Sequence, residues 1–395
     1  MMPIVRSAAL SALTTLLVAA ALSGCAVFGG QTQKREFAIE SAWTRATAKK
    51  DFLGFRRMNR MTPIVLDNLV IQANSIDGIL AYDRKSGREQ WRLDLVNGVE
   101  GGTQVVGDRL YFGASDGQFY CVNVLNGRVL WTFAVKAETL APPTVEEGVV
   151  YFQNGADVVY ALDAATGKQL WLYNRQVTAS LSIRATTRPV VAGEQLIAGF
   201  ADGFVVALKK RDGGLLWERK LGRGTRFRDV DTTPVVDGGI TYVASYDAAL
   251  YALKTETGEI LWSVEDGAYA PVTLGRDRFA DRLYYSTASG KILILDKRSG
   301  KQLGSIAVTK GIPTQVSLYK DFLIYGESEG SLVVANADNG STVARFAPGH
   351  GLVSRPAVVD QTGEAFFISN DANLFALKMG YRRVGDRLPW QSEEN

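Results

Sequence analysis

The sequence is poor in the side chains that hold metals. It has two Cys and one His in 395 residues, too few soft ligands for a zinc or haem centre. It also lacks a dominant charge. A formal charge of +3 gives no electrostatic basis for nucleic-acid binding. Long helical periodicity is missing, which argues against helical solenoids. The apolar run from Ala8 to Leu22 falls short of the ~20 residues a spanning helix needs. Catalytic patterns are missing as well. No Walker-type phosphate loop is present. His350, in Pro348-Gly349-His350-Gly351, has no nearby Ser or Cys nucleophile pattern and reads as a loop residue. The Asp-Gly pairs at Asp77, Asp116 and Asp202 read as turns rather than cation ligands. No catalytic, metal or cofactor residue is assigned.

Glycine, with 40 residues, is plentiful, and it is periodic. Tyr160 to Trp171 reads Tyr-Ala-Leu-Asp-Ala-Ala-Thr-Gly-Lys-Gln-Leu-Trp, two short strands around a turn in which Asp163 can bond the following backbone and Gly167 supplies positive φ. The Gly recurs at 87, 127, 167, 213, 258, 300 and 340, with gaps of 40, 40, 46, 45, 42 and 40. Trp91, Trp131, Trp171, Trp217 and Trp262 follow four residues on; Gly304 and Ala344 stand in that slot in the last two units. With an apolar strand and a further turn before each copy, every unit reads as four antiparallel strands in 40–45 residues, the pattern of a propeller blade. One Trp per unit at a fixed slot predicts rings docked between neighbouring blades. Cys121 occupies a small core slot.

The fold class is therefore all-β, an eight-bladed β-propeller. The eighth unit yields three strands and ends at Lys378. Ser41-Ala42-Trp43-Thr44-Arg45 has the character of a missing fourth strand, with Trp43 in the empty Trp slot. The ring then closes by pairing its first strand with its last blade, which removes open edges. The expected organisation is a leader over 1–24, an acylated Cys and flexible tether over 25–39, the propeller over 40–380 and a polar tail over 381–395.

The leader carries Arg6 before its apolar run, as a secretory signal does. It ends in Leu22-Ser23-Gly24-Cys25, which resembles the bacterial lipobox. That resemblance implies cleavage before Cys25 and lipid, palmitate included, on its amino-terminal Cys. Ala26 rather than Asp after it implies the outer membrane, with the body on the periplasmic face. Two or three acyl chains make a stable tether. Acylated Cys25 would leave Cys121 without an intrachain disulfide partner.

The motif Ala-x-Asp-x-x-x-Gly-x-x-x-Trp resembles the Trp-docking motif of quinoprotein (PQQ-like) propellers, over roughly residues 40 to 378. With the lipobox, the blade number and Asp229-Val230-Asp231-Thr232-Thr233-Pro234, the chain is similar to the propeller lipoproteins of the outer-membrane β-barrel assembly machinery. That resemblance implies a non-catalytic scaffold that binds the periplasmic repeats of the central barrel subunit, BamA, through Leu181, Ile183, Arg184, Asp229 and Asp231; Ile183 is Leu in the family pattern. Nascent β-barrel proteins are a second expected partner. Spacing reaches the same region. The two longest gaps place extra residues in 172–188 and 218–233, two neighbouring connections on one face, with apolar anchors flanked by Arg and Asp. The rival readings are a PQQ-dependent periplasmic dehydrogenase and a generic envelope scaffold. Against the first, no adjacent Cys pair and no added cofactor domain is seen.

Overall fold

Apolar alternation broken by Gly- and Asp-containing turns folds into short antiparallel strands. The computed structural model describes residues 35–48, 59–175, 187–224, 229–230 and 232–383. Thr144–Glu146, Val149–Gln153, Val158–Asp163 and Gln169–Asn174 form one sheet, paired in chain order. Seven such sheets follow one another, their first strands opening at Ile64, Thr103, Thr144, Val190, Val235, Thr273 and Ser317; they are blades 1 to 7. Blade 8 has the order Arg35–Ala46, Asn373–Arg383, Glu364–Ile368, Ala357–Val359. An N-terminal strand thus completes the last blade, as the sequence predicts. Among the described residues no helix is long and apolar enough to cross a membrane.

Asp163 accepts bonds from the Thr166 hydroxyl (2.6 Å) and backbone N–H (2.8 Å), which hold its carboxyl below the ordinary Asp range. Gly167 has φ +73°. It has a second reason to be Gly. A Cβ there would lie 2.5 Å from the Trp131 ring of the preceding blade. The relation repeats around the ring, Trp43 on Gly87, Trp91 on Gly127, Trp171 on Gly213, Trp217 on Gly258 and Trp262 on Gly300. Most indoles also donate to a backbone oxygen of the next blade, as Trp91 does to Val124 (3.0 Å) and Trp43 to Arg84 (3.0 Å). Trp262 keeps the stacking but has no N–H partner among the described residues; the oxygen of Lys297 accepts the Tyr242 hydroxyl (2.9 Å). Among the described residues, only the Trp43 and Trp91 rings are buried, at 7% and 8% exposure; Trp131, Trp171, Trp217 and Trp262 are half-buried.

The core lies between blades. Tyr111, Phe119, Cys121, Phe152 and Leu162 pack together from blades 2 and 3. Burial raises the Cys121 thiol to about 11, so it is an inert core residue. Ala38–Gly380 forms one compact unit; of the second unit the described residues are 35–37 and 381–383, where Phe37 meets Tyr381 edge-on at 5.5 Å and Arg382 pairs with Glu36 at 2.6 Å.

Candidate functional site

The two long connections both leave the last strand of a blade and enter the first strand of the next. One joins blade 3 to blade 4 and the other blade 4 to blade 5, so they are neighbours on one face. Their ends are built alike. Thr187 closes the first: its hydroxyl donates to Gly199 O (3.1 Å) and accepts Gly199 N–H (3.0 Å). Thr232 closes the second in the same way on Ala244, at 3.0 and 2.8 Å.

The two connections meet at Gly199. A Cβ there would come 2.2 Å from Val230 O and 3.0 Å from the Thr187 methyl, so the last strand-ending residue of this turn must be Gly. Val230 N–H donates to Phe200 O (3.1 Å), and Tyr246 N–H donates to Asp229 O (3.0 Å). Asp229 is 1% exposed. Its place is beneath the connection, where it fixes the path of the chain.

The first connection starts from Arg175. Its guanidinium bonds Asp202 (2.6 Å) and Glu218 (2.7 Å) and lies 4.5 Å above the Phe204 ring. Burial works against its charge, and the two carboxylates outweigh it, so its pKa rises. The second connection is pinned by Arg223, bidentate on Glu265 at 2.8 Å, and by Gly224 N–H on Asp247 (2.6 Å). Exposed Tyr246 stands beside it.

A buried acid lies in the adjoining turn of blade 3. Asp157 accepts from Gln153 Nε2 (3.0 Å), which also donates to Gly199 O (3.1 Å). Burial, with the charges of Asp202 and Asp229 adding to it, pushes Asp157 up to about 6. Sequence reasoning missed Asp157 and Gln153, which carry no motif.

Of the five residues assigned to partner binding, Asp229 is the one placed; Leu181, Ile183, Arg184 and Asp231 lie outside the described residues, as does Cys25. His350 is exposed, with Nδ1 2.9 Å from Asp371. Among the described residues no group of three His, Cys, Asp or Glu side chains is placed to hold a metal ion. The Asp116 and Asp202 side chains bond turn N–H groups at Gln118 (2.9 Å) and Phe204 (3.2 Å), as their turn reading predicts.

A family model described as outer membrane protein assembly factor BamB matches residues 77–303. The chain is 28% identical to the outer membrane protein assembly factor BamB of Shewanella oneidensis over 323 residues, 76% of this chain and 80% of the relative. It is 28% identical to that of Salmonella typhimurium over 387 residues, 92% and 97% of the two. The crystal structure of BamB from Moraxella catarrhalis is similar with a TM-score of 0.72 at 20% identity, over 86% of this chain and all of that one. The quinohemoprotein alcohol dehydrogenase of Comamonas testosteroni is similar with a TM-score of 0.70 at 14% identity, over 89% of this chain and 77% of its own. At that identity the likeness is one of fold.

Proposed function

Because the chain belongs to the family of the outer membrane protein assembly factor BamB, we propose that it is a lipid-anchored scaffold of β-barrel assembly that grips the central barrel subunit, BamA. The family and the curated relatives are assembly factors, and a non-enzymatic role agrees with them. The observation that carries the finer reading is the meeting of the two long connections at Gly199. Thr187 and Val230 both lie against Gly199, so residues on both connections can act as one surface toward the periplasmic repeats of the partner.

On this reading Leu181 and Ile183 are the apolar anchors, and Arg184 and Asp231 give charged, oriented contacts. Asp229 acts through the path of the chain rather than by touching the partner, because its side chain is enclosed. A few anchors dominate such interfaces. Cys25 carries the lipid that holds the body at the periplasmic face of the outer membrane.

The test is a binding isotherm between the mature body and the periplasmic repeats of the central subunit. Arg184→Ala is expected to weaken binding by ~1–2 kcal/mol at unchanged melting temperature. Wild-type affinity in both Arg184→Ala and Leu181→Ala would remove the reading.

A second role has its own observation. The last strand in blades 1 to 7 forms one edge of its sheet. Each carries a bulge at the residue before the Trp slot, as between Ala161 and Leu162 opposite Trp171 and Gln169. The bulged residues Leu170, Leu216, Leu261 and Leu303 are 42–53% exposed. An apolar, partnerless strand edge suits strand addition by a nascent β-barrel protein. Photocrosslinkers at positions 172 and 261 should trap such clients; trapping at neither removes this role.

A further inference from the structure

The first strands of the blades line the central channel, and one slot in them is unusual. Register defines it. Gln104, Thr144, Val190 and Ser317 pair with Tyr111, Tyr151, Ile197 and Ile324 at equivalent places in their blades. Two residues before this place, six blades hold Thr, Gly, Pro or Gln, and two hold Arg. The two are Arg188 in blade 4 and Arg355 in blade 8. In a ring of eight, blades four apart face each other across the axis.

Both guanidiniums are held by the same device. Arg188 Nε donates to Thr144 Oγ1 (2.9 Å), and that hydroxyl donates to Pro189 O (2.5 Å). Arg355 Nε donates to Ser317 Oγ (2.8 Å), and that hydroxyl donates to Pro356 O (2.6 Å). Arg188 also reaches Gln104 Oε1 at 2.8 Å. Every one of these acceptors is neutral. Among the described residues neither Arg is paired with a carboxylate. Burial alone lowers both from the ordinary Arg range, with no charge opposing it. Removing a guanidinium from bulk water without a counter-ion is costly. Nε is spent on the hydroxyl in both, and one terminal nitrogen of Arg188 is spent on Gln104; both terminal nitrogens of Arg355 are left over.

A cavity of about 770 Å³ runs along this part of the channel, lined from blades 1, 5, 6, 7 and 8 by residues that include Thr62, Val235, Gln315, Ser317 and Arg355. Its acid, Asp360, is paired with Arg276, so Arg355 leaves the cavity with a net positive charge.

We propose that this cavity of the central channel is a binding site for an oxyanion, carboxylate or phosphate, recognised by Arg355. Planar bidentate pairing with an oxyanion is what a fixed guanidinium fork does well. The site lies on the axis and involves none of the residues assigned to partner binding, so it stands or falls separately from that role.

The test is calorimetric titration of the mature protein, with inorganic phosphate in one arm and citrate in the other. Saturable binding is expected in at least one arm, and that arm names the ligand chemistry. Arg355→Gln should weaken it tenfold or more, about 1.4 kcal/mol. Arg211→Gln, an exposed surface control, should leave it unchanged. If a Gln variant fails to fold, Arg355→Lys, which keeps the charge and loses the fork, should fold and still weaken binding. No saturable binding of either anion up to about 10 mM, a level that detects even millimolar affinity, would overturn the proposal. So would binding that Arg355→Gln leaves intact.

Discussion

The joints between blades fall into two kinds. From blade 8 through blade 5, each blade sends an indole onto the turn Gly of the next. The joints of blade 6 with 7 and of blade 7 with 8 have no Trp. At the first, Ile306 takes over: a Cβ on Gly340 would lie 2.6 Å from its side chain, and Ile306 is buried. Ile306 sits two residues beyond the Trp slot, on the same face of the strand. At the second, Phe346 of blade 7 meets Phe375 at 5.5 Å and Phe367 at 6.3 Å in blade 8. The ring needs an apolar group against each neighbouring blade and tolerates several ways of supplying it. The indole adds a bond to the next backbone, which Ile and Phe cannot make.

That difference can be broken in order of size. Trp91→Ala removes a buried ring and its bond to Val124, and should lower stability by ~3–5 kcal/mol in urea denaturation. Trp43→Ala should fall in the same range and should also loosen ring closure, since Arg45 of that strand bonds Gly87 O at 2.8 Å and Arg84 pairs with Glu364 across the same joint. Ile306→Ala leaves a smaller cavity and should cost ~2–3 kcal/mol. Phe346→Ala, at a half-buried ring, should cost ~1–2 kcal/mol. If Ile306→Ala and Trp91→Ala cost the same, the indole bond adds nothing.

A second contrast concerns two buried carboxylates in blades 3 and 7. Burial pulls Glu327 upward, but the N–H groups of Thr309 and Ser331 and the guanidinium of Arg345 outweigh it and leave its pKa lowered. Its contribution is present at neutral pH and is lost as pH falls through that lowered value. Asp157 runs the other way. Its folded pKa of about 6 lies above the unfolded value of 3.8. The folded state therefore holds a proton that the unfolded chain releases, and stability declines as pH rises from about 4 to about 6, then levels off. Asp157→Asn should abolish that decline, worth ~2–3 kcal/mol at most; its φ of +57° suits Asn. Urea midpoints at pH 4.5 and pH 7.5 for both proteins make the measurement. An unchanged slope in the variant would assign the decline elsewhere.

The blades, their number and the closing strand were legible because the turn Gly and the docked Trp leave fixed marks in the chain. Trp43 was legible for the same reason. Ile306 and Phe346 were not, since an aliphatic or Phe two residues past a slot resembles any other strand residue. The bulge before each Trp has no side-chain signature either. At the candidate site, loop length pointed to two neighbouring connections, and Thr187, Val230 and Gly199 bring their ends together. The burial of Asp229 could not be read, because nothing local distinguishes a loop carboxylate that faces solvent from one folded underneath. Cys121 was legible as core because its slot is otherwise small or apolar.

The central claim is a ring of eight blades held shut by a strand from the opposite end of the chain. Native-state hydrogen exchange at the amides of Ala38–Ala46 tests it most directly. Closure predicts protection of the hydrogen-bonded amides approaching that of Leu80 and Leu374, which pack with Trp43 in one core, and a collapse of that protection in Trp43→Ala. Rapid exchange along the strand in the wild-type protein, with blades 2 to 6 still protected, would contradict it.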